Sequence, residues 1–233
     1  MAPPDRLLVA LDVESLRDAE ALLGRLDGVV TGCKIGSQLF TAAGPAAVES
    51  ARKRGFRVFL DLKFHDIPTT VAGAVREAAR LGVAMLNVHA SGGVAMMRAA
   101  AEAAADFAAP RPLVLGVTVL TSLDRGTLAR EVGVPASVDA HVLHLADRAR
   151  EAGLDGCVAS PREVRALRLA LGPQWVIVTP GIRMPAAGAD DQTRVATPRQ
   201  ARDAGADYVV VGRPITAAPD PAAAAAEILR QIA

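Results

Sequence analysis

The most restrictive feature of this sequence is an alternation of short apolar runs with helical periods, repeated eight times. The runs are nearly continuous in aliphatic residues, as are strands that a parallel sheet buries on both faces. They lie at residues 7–12, 32–36, 57–63, 84–89, 113–120, 156–160, 175–179 and 208–212. Eight such strands, each followed by a helix, predict a single-domain (β/α)8 TIM barrel over residues 1–233.

The segments between the runs carry signals for helix starts and stops. Ser15 is placed to cap the first long helix, and Pro45 and Pro198 are placed to open two later ones. Gly55 and Gly205 follow those two helices and can end them. A doubly wound open sheet is the alternative architecture. The chain has neither a GxGxxG nor a GxxxxGK[ST] motif, which weakens the nucleotide-binding version of that alternative.

Composition narrows the classes of partner and compartment. The formal net charge of +1 gives no bulk attraction to nucleic acid or to an anionic membrane. No apolar run approaches the ~18 residues of a membrane span, and the N-terminal residues have no signal-peptide pattern. The two cysteines, Cys33 and Cys157, form no CxxC pair, so we expect inert packing residues in a reducing compartment. We therefore predict a cytoplasmic protein that binds neither nucleic acid nor membrane.

Lysine is scarce in this chain, and its positions are informative. Only Lys34, Lys53 and Lys63 occur among the 26 basic residues; the others are arginine. In a chain whose other basic residues are arginine, a lysine indicates a role that a guanidinium group cannot fill, because the pKa of an ammonium group can be shifted by its surroundings. Lys34 and Lys63 lie within apolar strand runs, where a solvated surface lysine is not expected.

Charged residues at the predicted strand ends indicate a reactive centre. Side chains at the carboxyl ends of barrel strands form the active sites of this architecture. Asp61 and Lys63 are two residues apart and leave the same face of the third strand, and Lys34 and Asp12 end the two preceding strands. Buried charges of this kind must be paired. A salt bridge that only closes the barrel is the alternative interpretation. Asp66 follows in the next loop.

The loops after the seventh and eighth strands predict a phosphate site. Gly181 and Arg183 follow the seventh strand, and Gly212 and Arg213 follow the eighth. Barrels often bind phosphate at this position through backbone N–H groups, and an arginine fork matches phosphate oxygens. Glycines that only serve tight turns are the alternative. The polar stretch between Arg183 and Pro198, which contains Gln192, is a lid over the phosphate or a plain loop.

The histidines are weaker candidates for functional residues than the charged residues at the strand ends. His141 and His144 are spaced i, i+3 and could hold a metal, but no third ligand is evident, so we predict a helix face and no metal site. His89 ends the fourth strand, where a structural hydrogen-bonding role is favoured over a catalytic one.

Residues 61–68, DLKFHDIP, resemble the signature of the orotidine 5′-phosphate decarboxylase family. The similarity extends along the whole chain. It includes the motifs at residues 11–12, 34–36, 87–90, 117–122, 179–183 and 211–215. The DxKxxDIP motif is specific, and its agreement with six other strand-end motifs argues against a chance match.

The resemblance implies a reaction and a set of catalytic residues. Orotidine 5′-phosphate would lose CO₂ from pyrimidine C6 to give UMP, the last step of de novo pyrimidine synthesis. The family uses no metal or organic cofactor and forms homodimers with active sites at the subunit interface. By position, Lys63 would donate the proton to C6 and Asp61 would lie beside the departing carboxylate. Asp66 would enter the partner's site, and Lys34 would complete a Lys-Asp-Lys-Asp array and touch the ribose.

The resemblance also implies the substrate-binding residues. Asp12 would bind ribose hydroxyls, Thr70 would do so across the interface, and Thr121 would contact the pyrimidine. The phosphate would be held by Arg183, Gln192, Gly212 and Arg213.

Three other functions remain as alternatives. Mg²⁺-dependent sugar-phosphate decarboxylases and hexulose-phosphate synthases share the Asp-x-Lys-x-x-Asp strand, although the Ile67-Pro68 continuation favours orotidine 5′-phosphate decarboxylase. A Schiff-base aldolase would use Lys63 as its nucleophile, which flanking carboxylates disfavour by keeping the amine protonated. A phosphate-ligand sensor would bind UMP without turnover.

Overall fold

Eight parallel strands form a closed barrel in this computed structural model, which describes residues 3–184 and 196–233. The strands are β1 (Leu7–Ala10), β2 (Gly32–Gly36), β3 (Arg57–Phe64), β4 (Met85–His89), β5 (Leu113–Val117), β6 (Gly156–Val158), β7 (Val176–Thr179) and β8 (Tyr208–Val211). They are paired in chain order, and β8 pairs with β1 to close the ring. The (β/α)8 prediction is therefore confirmed, and the open-sheet alternative is excluded.

Helices surround the barrel between successive strands. They are α1 (Pro3–Arg6), α2 (Leu16–Leu26), α3 (Ser37–Ala43), α4 (Pro45–Lys53), α5 (Pro68–Arg80), α6 (Val94–Ala105), α7 (Arg125–Arg130), α8 (Val138–Glu151), α9 (Val164–Leu171), α10 (Pro198–Ala204), α11 (Arg213–Thr216) and α12 (Pro221–Ile232). Ser15 caps α2 by accepting a hydrogen bond from the backbone N–H of Asp18, as predicted. The four-residue helices α1 and α11 are too short to produce a helical period in the sequence. None of the helices in the described ranges is long and apolar enough to cross a bilayer.

The predicted strands are too long at some carboxyl ends. The predicted ends at residues 12, 120 and 160 are wrong by two or three residues, since β1, β5 and β6 stop at Ala10, Val117 and Val158. The other predicted boundaries agree within one residue. The extra residues leave the sheet, and some of them, such as Asp12 and Val119, line a cavity at the barrel mouth.

Inward-facing side chains fill the barrel and determine where the charged residues lie. The interior cluster consists of Leu8, Ala10, Phe59, Met85, Leu115, Val178, Tyr208 and Val210. Lys34 is in register with Ala10 on one side and Phe59 on the other, so its side chain enters the same interior layer. Asp61 lies two residues beyond Phe59 and leaves the same face of β3, one layer closer to the mouth.

Candidate active site

A cavity of about 530 Å³ opens at the carboxyl ends of the strands. Its walls combine apolar side chains such as Phe59 and Val210 with charged ones. Eight of the predicted site residues line it: Asp12, Lys34, Asp61, Lys63, Thr121, Arg183, Gly212 and Arg213. The carboxyl ends of the strands therefore bring residues that are distant in the sequence to one cavity, as expected for an active site in this architecture.

Four charged side chains form an alternating array on the cavity floor. Lys34 Nζ lies 3.0 Å from Oδ1 of Asp12 and 3.3 Å from Oδ2 of Asp61. Lys63 Nζ donates to the other oxygen of Asp61, Oδ1, at 2.7 Å. Lys34 and Asp61 are buried, with 8% and 9% of their surface exposed, whereas Asp12 is exposed. Each buried charge thus has an oppositely charged partner, as burial requires.

The array keeps its two buried members ionised. Burial by itself lowers the pKa of Lys34, but the charges of Asp61 and Asp12 outweigh it, so the pKa lies above the ordinary lysine value. Burial by itself raises the pKa of Asp61, but Lys34, Lys63 and a hydrogen bond from Asn87 hold it below the ordinary aspartate value. The floor of the cavity therefore carries fixed charges at neutral pH.

Two predicted residues that follow β3 in the chain, Asp66 and Thr70, do not line the cavity. Asp66 is exposed, and its carboxylate accepts a hydrogen bond from the backbone N–H of Ile67 at 2.6 Å. Thr70 is also exposed, in the first turn of α5. Neither residue is among those that line the cavity of the described chain.

The predicted phosphate residues lie across the barrel mouth from Lys63. In a ring of eight strands, β7 is four steps from β3, and the loops after β7 and β8 supply Gly181, Arg183, Gly212 and Arg213 to the cavity wall. Gly181 has a φ of 79°, in the left-handed region that favours glycine. Gln192 and residues 185–195 of the stretch predicted as a lid or a plain loop lie outside the described residues.

Asn87 is a contact residue of the array to which sequence reasoning assigned no role. Its side-chain Nδ2 donates to Asp61 Oδ1 at 2.7 Å, and its Oδ1 accepts from the backbone N–H of Lys63 at 2.8 Å. A signal was present in the sequence, because Asn87 is the only asparagine among 233 residues and interrupts an apolar strand. A polar side chain at a buried strand position requires a partner.

The cysteines are the packing residues that the sequence predicted. Both are free and buried, and burial raises the pKa of each thiol to about 12. Cys157 also accepts a hydrogen bond from Trp175 Nε1 at 3.2 Å. Thiols of such high pKa have almost no thiolate and are unreactive near neutral pH.

The four histidines lie in two pairs. The rings of His141 and His144 stack with centroids 6.3 Å apart on α8, and those of His65 and His89 lie 5.3 Å apart beside the barrel mouth. Burial, His65 and Lys63 lower the pKa of His89. In residues 3–184 and 196–233, no three His, Cys, Asp or Glu side chains are grouped as a metal site would require. The hydrogen-bonding role of His89 stays a prediction.

Comparison with known proteins shows the family that this chain resembles over its length. A model of the orotidine 5′-phosphate decarboxylase / HUMPS family matches residues 5–228. The chain is 56% identical to the orotidine 5′-phosphate decarboxylase of Moorella thermoacetica, covering 100% of this chain and 94% of that protein. It is 52% identical to the protein of that name from Teredinibacter turnerae, with 97% of each covered.

A solved structure gives the same result in three dimensions. The crystal structure of orotidine 5′-phosphate decarboxylase from Lactobacillus acidophilus superposes with a TM-score of 0.87 at 37% identity. The superposition covers 98% of this chain and 99% of that one. The match in sequence and in fold thus runs over nearly the whole chain, which belongs to the orotidine 5′-phosphate decarboxylase / HUMPS family.

Proposed function

We propose that this protein decarboxylates orotidine 5′-phosphate to UMP, the last step of de novo pyrimidine synthesis, without a metal or an organic cofactor. The observation that carries the proposal is the alternating array of Asp12, Lys34, Asp61 and Lys63 on the floor of the cavity. An ammonium group held at 2.7 Å by a buried carboxylate suits a reaction that develops negative charge on carbon. The names of the relatives support the same substrate.

The reaction needs one positioned cation and one proton. When the bond between C6 and the carboxylate breaks, CO₂ leaves and the electron pair stays on C6. The Lys63 ammonium stabilises this pair as it forms and then transfers a proton to C6, giving UMP. The neutral amine regains its proton from solvent. Asp61 lies beside the departing carboxylate and orients Lys63.

The rest of the cavity holds the parts of the substrate that do not react. Asp12 and Lys34 bind the ribose hydroxyls, and Thr121 contacts the pyrimidine. Arg183, Gln192, Gly212 and Arg213 hold the phosphate. Because the phosphate is remote from C6, its binding energy can offset the cost of placing the substrate carboxylate among fixed charges.

The phosphate assignment predicts a ligand-selective effect of Arg213→Ala. Loss of a charge-assisted fork should weaken UMP binding by about tenfold or more, since such hydrogen bonds are among the strongest that proteins make. Isothermal titration with UMP measures this effect. Uridine, which has no phosphate, provides the matched control and should bind the variant and the parent equally. An equal loss for both ligands, or none for UMP, would contradict the phosphate site.

The active sites are shared between the two subunits of a homodimer. Asp66 and Thr70 are exposed and do not line the cavity of their own chain, and Ile67 between them has 63% of its surface exposed. An exposed apolar side chain beside polar ones is compatible with the apolar core and polar rim of an interface. In this arrangement Asp66 approaches the partner's Lys63, and Thr70 binds the ribose of the partner's substrate.

The proposal that no metal takes part in the reaction predicts that activity survives treatment with a chelator. Asp12 and Asp61 already pair with lysines, so Mg²⁺ would have to compete with an ammonium group for each of these carboxylates. Consumption of orotidine 5′-phosphate, followed by absorbance, should proceed at the same rate with and without EDTA. Loss of activity in EDTA that Mg²⁺ restores would favour a sugar-phosphate decarboxylase of the same fold. Binding of UMP without any turnover would favour a sensor.

A further inference from the structure

We propose that Asn87 is a positioning residue that holds the Lys63 backbone and the Asp61 carboxylate in their catalytic arrangement. The inference deepens the proposed function and rests on it for its kinetic consequence. Asn87 is fully buried at the centre of β4, with 0% of its surface exposed. It is not among the described residues that line the cavity, so it acts through its two neighbours and does not touch the substrate.

The strand register shows why Lys63 needs a side-chain partner. Leu60 is aligned with Leu86, and Phe64 is aligned with Val88, so the β3–β4 ladder shifts between these pairs. Three residues of β3, numbers 61–63, therefore face the single residue Asn87 of β4. A bulge of this kind leaves backbone groups without their ladder partners. The side-chain Oδ1 of Asn87 accepts the Lys63 N–H at 2.8 Å in place of a backbone carbonyl.

The bulge also places Lys63 in a conformation that needs support. Among the described residues, Lys63 is the only one other than glycine with a positive φ, at 52°. A side chain in the left-handed region is unfavourable and persists where the surroundings determine it. The hydrogen bond to Asn87 is made directly by the backbone N of this residue. This hydrogen bond therefore restrains the backbone from which the side chain of the proton donor, Lys63, extends.

The two partners of Asn87 determine which way its side-chain amide oxygen and nitrogen face. A backbone N–H can only donate, so the atom that faces Lys63 must be the amide oxygen, and the amide NH₂ then faces Asp61. Asp61 Oδ1 receives two donors, Asn87 Nδ2 and Lys63 Nζ, each at 2.7 Å. Asn87 thereby sets the orientation of the carboxylate to which the Lys63 ammonium is bound. An ionised aspartate could satisfy the first contact but has no proton to donate in the second, and a leucine could satisfy neither.

Removal of the Asn87 contacts should misalign Lys63 and Asp61 for catalysis while the affinity for ligand changes little. A displacement of a reacting group by about 1 Å can cost on the order of 100-fold in rate. We expect Asn87→Leu and Asn87→Asp to lower kcat at least tenfold while the Kd for UMP changes less than threefold. Thr118→Val is the matched control. It removes another buried side-chain hydrogen bond, from Thr118 Oγ1 to the carbonyl of Val158, and should leave kcat within twofold of the parent.

Hydrogen exchange of the Lys63 backbone amide provides a readout that does not depend on turnover. The amide should exchange slowly in the parent and in Asn87→Asp, which retains the acceptor, and faster in Asn87→Leu, which lacks it. Folded variants with kcat within twofold of the parent would overturn the proposal, as would equal losses of kcat and UMP affinity. If neither variant folds, the parent decides, because a Lys63 amide that exchanges as fast as an exposed loop amide refutes the contact. A parent protein without activity on orotidine 5′-phosphate refutes only the proposed function, since the exchange result stands separately.

Discussion

Replacing Lys63 with alanine is expected to abolish turnover, lowering kcat by at least about 10⁴-fold while the barrel stays folded. The variant loses both the cation that stabilises the developing charge on C6 and the proton that completes the reaction. Lys34 still pairs with Asp61 at 3.3 Å, so the buried carboxylate retains a partner and the fold has no reason to fail. The absorbance assay gives kcat, and circular dichroism gives the fold.

The scarcity of lysine supplies a clean control for this experiment. Lys53 lies on α4 with 73% of its side chain exposed and pairs with Glu49, so Lys53→Ala should leave turnover unchanged. Lys63→Arg should stay close to inactive, because guanidinium retains the charge but does not release its proton near neutral pH. A Lys63→Ala protein with kcat within tenfold of the parent would remove Lys63 from the role of proton donor.

Mixing two inactive variants is expected to restore activity if the sites are shared. Lys63→Ala and Asp66→Ala should each be nearly inactive as homodimers. After subunit exchange about half of the dimers are mixed, and each mixed dimer has one site in which both residues are intact. Activity should therefore rise from near zero to about a quarter of that of the parent enzyme. The activity of the exchanged mixture measures this effect.

The matched control for the mixing experiment uses two residues of the same strand. Lys63 and Asp61 are joined by a hydrogen bond of 2.7 Å within one chain, so every site of a Lys63→Ala and Asp61→Ala mixed dimer has one defect. Exchange in this pair should restore no activity. A fully exchanged Lys63→Ala and Asp66→Ala mixture that stays inactive would place Asp66 in the site of its own chain. Restoration in the control pair would contradict the sharing scheme as well.

The barrel and most of its charged floor follow from patterns that are local in the sequence. Apolar runs and helix caps each depend on a few neighbouring residues, which explains why the strands and the Ser15 cap were predictable. The period of two along a strand put Asp61 and Lys63 on one face. Because the carboxyl ends of barrel strands meet at one mouth, Asp61 and Lys63 were expected beside Lys34 and Asp12, and the structure shows these contacts. The strand ends themselves were predicted less well, because polar and apolar residues there leave the sheet to line the cavity.

The sequence by itself determined the architecture, the paired charges and the family signature, because these depend on residue type and on spacing along the chain. The tertiary structure alone decided that Asn87 bonds to both Lys63 and Asp61, and it shows that Asp66 is exposed and does not line the cavity of its own chain. The contacts of Asn87 join residues 24 and 26 positions apart. They depend on a register shift between two strands, and a shift of that kind has no periodic signal in either strand.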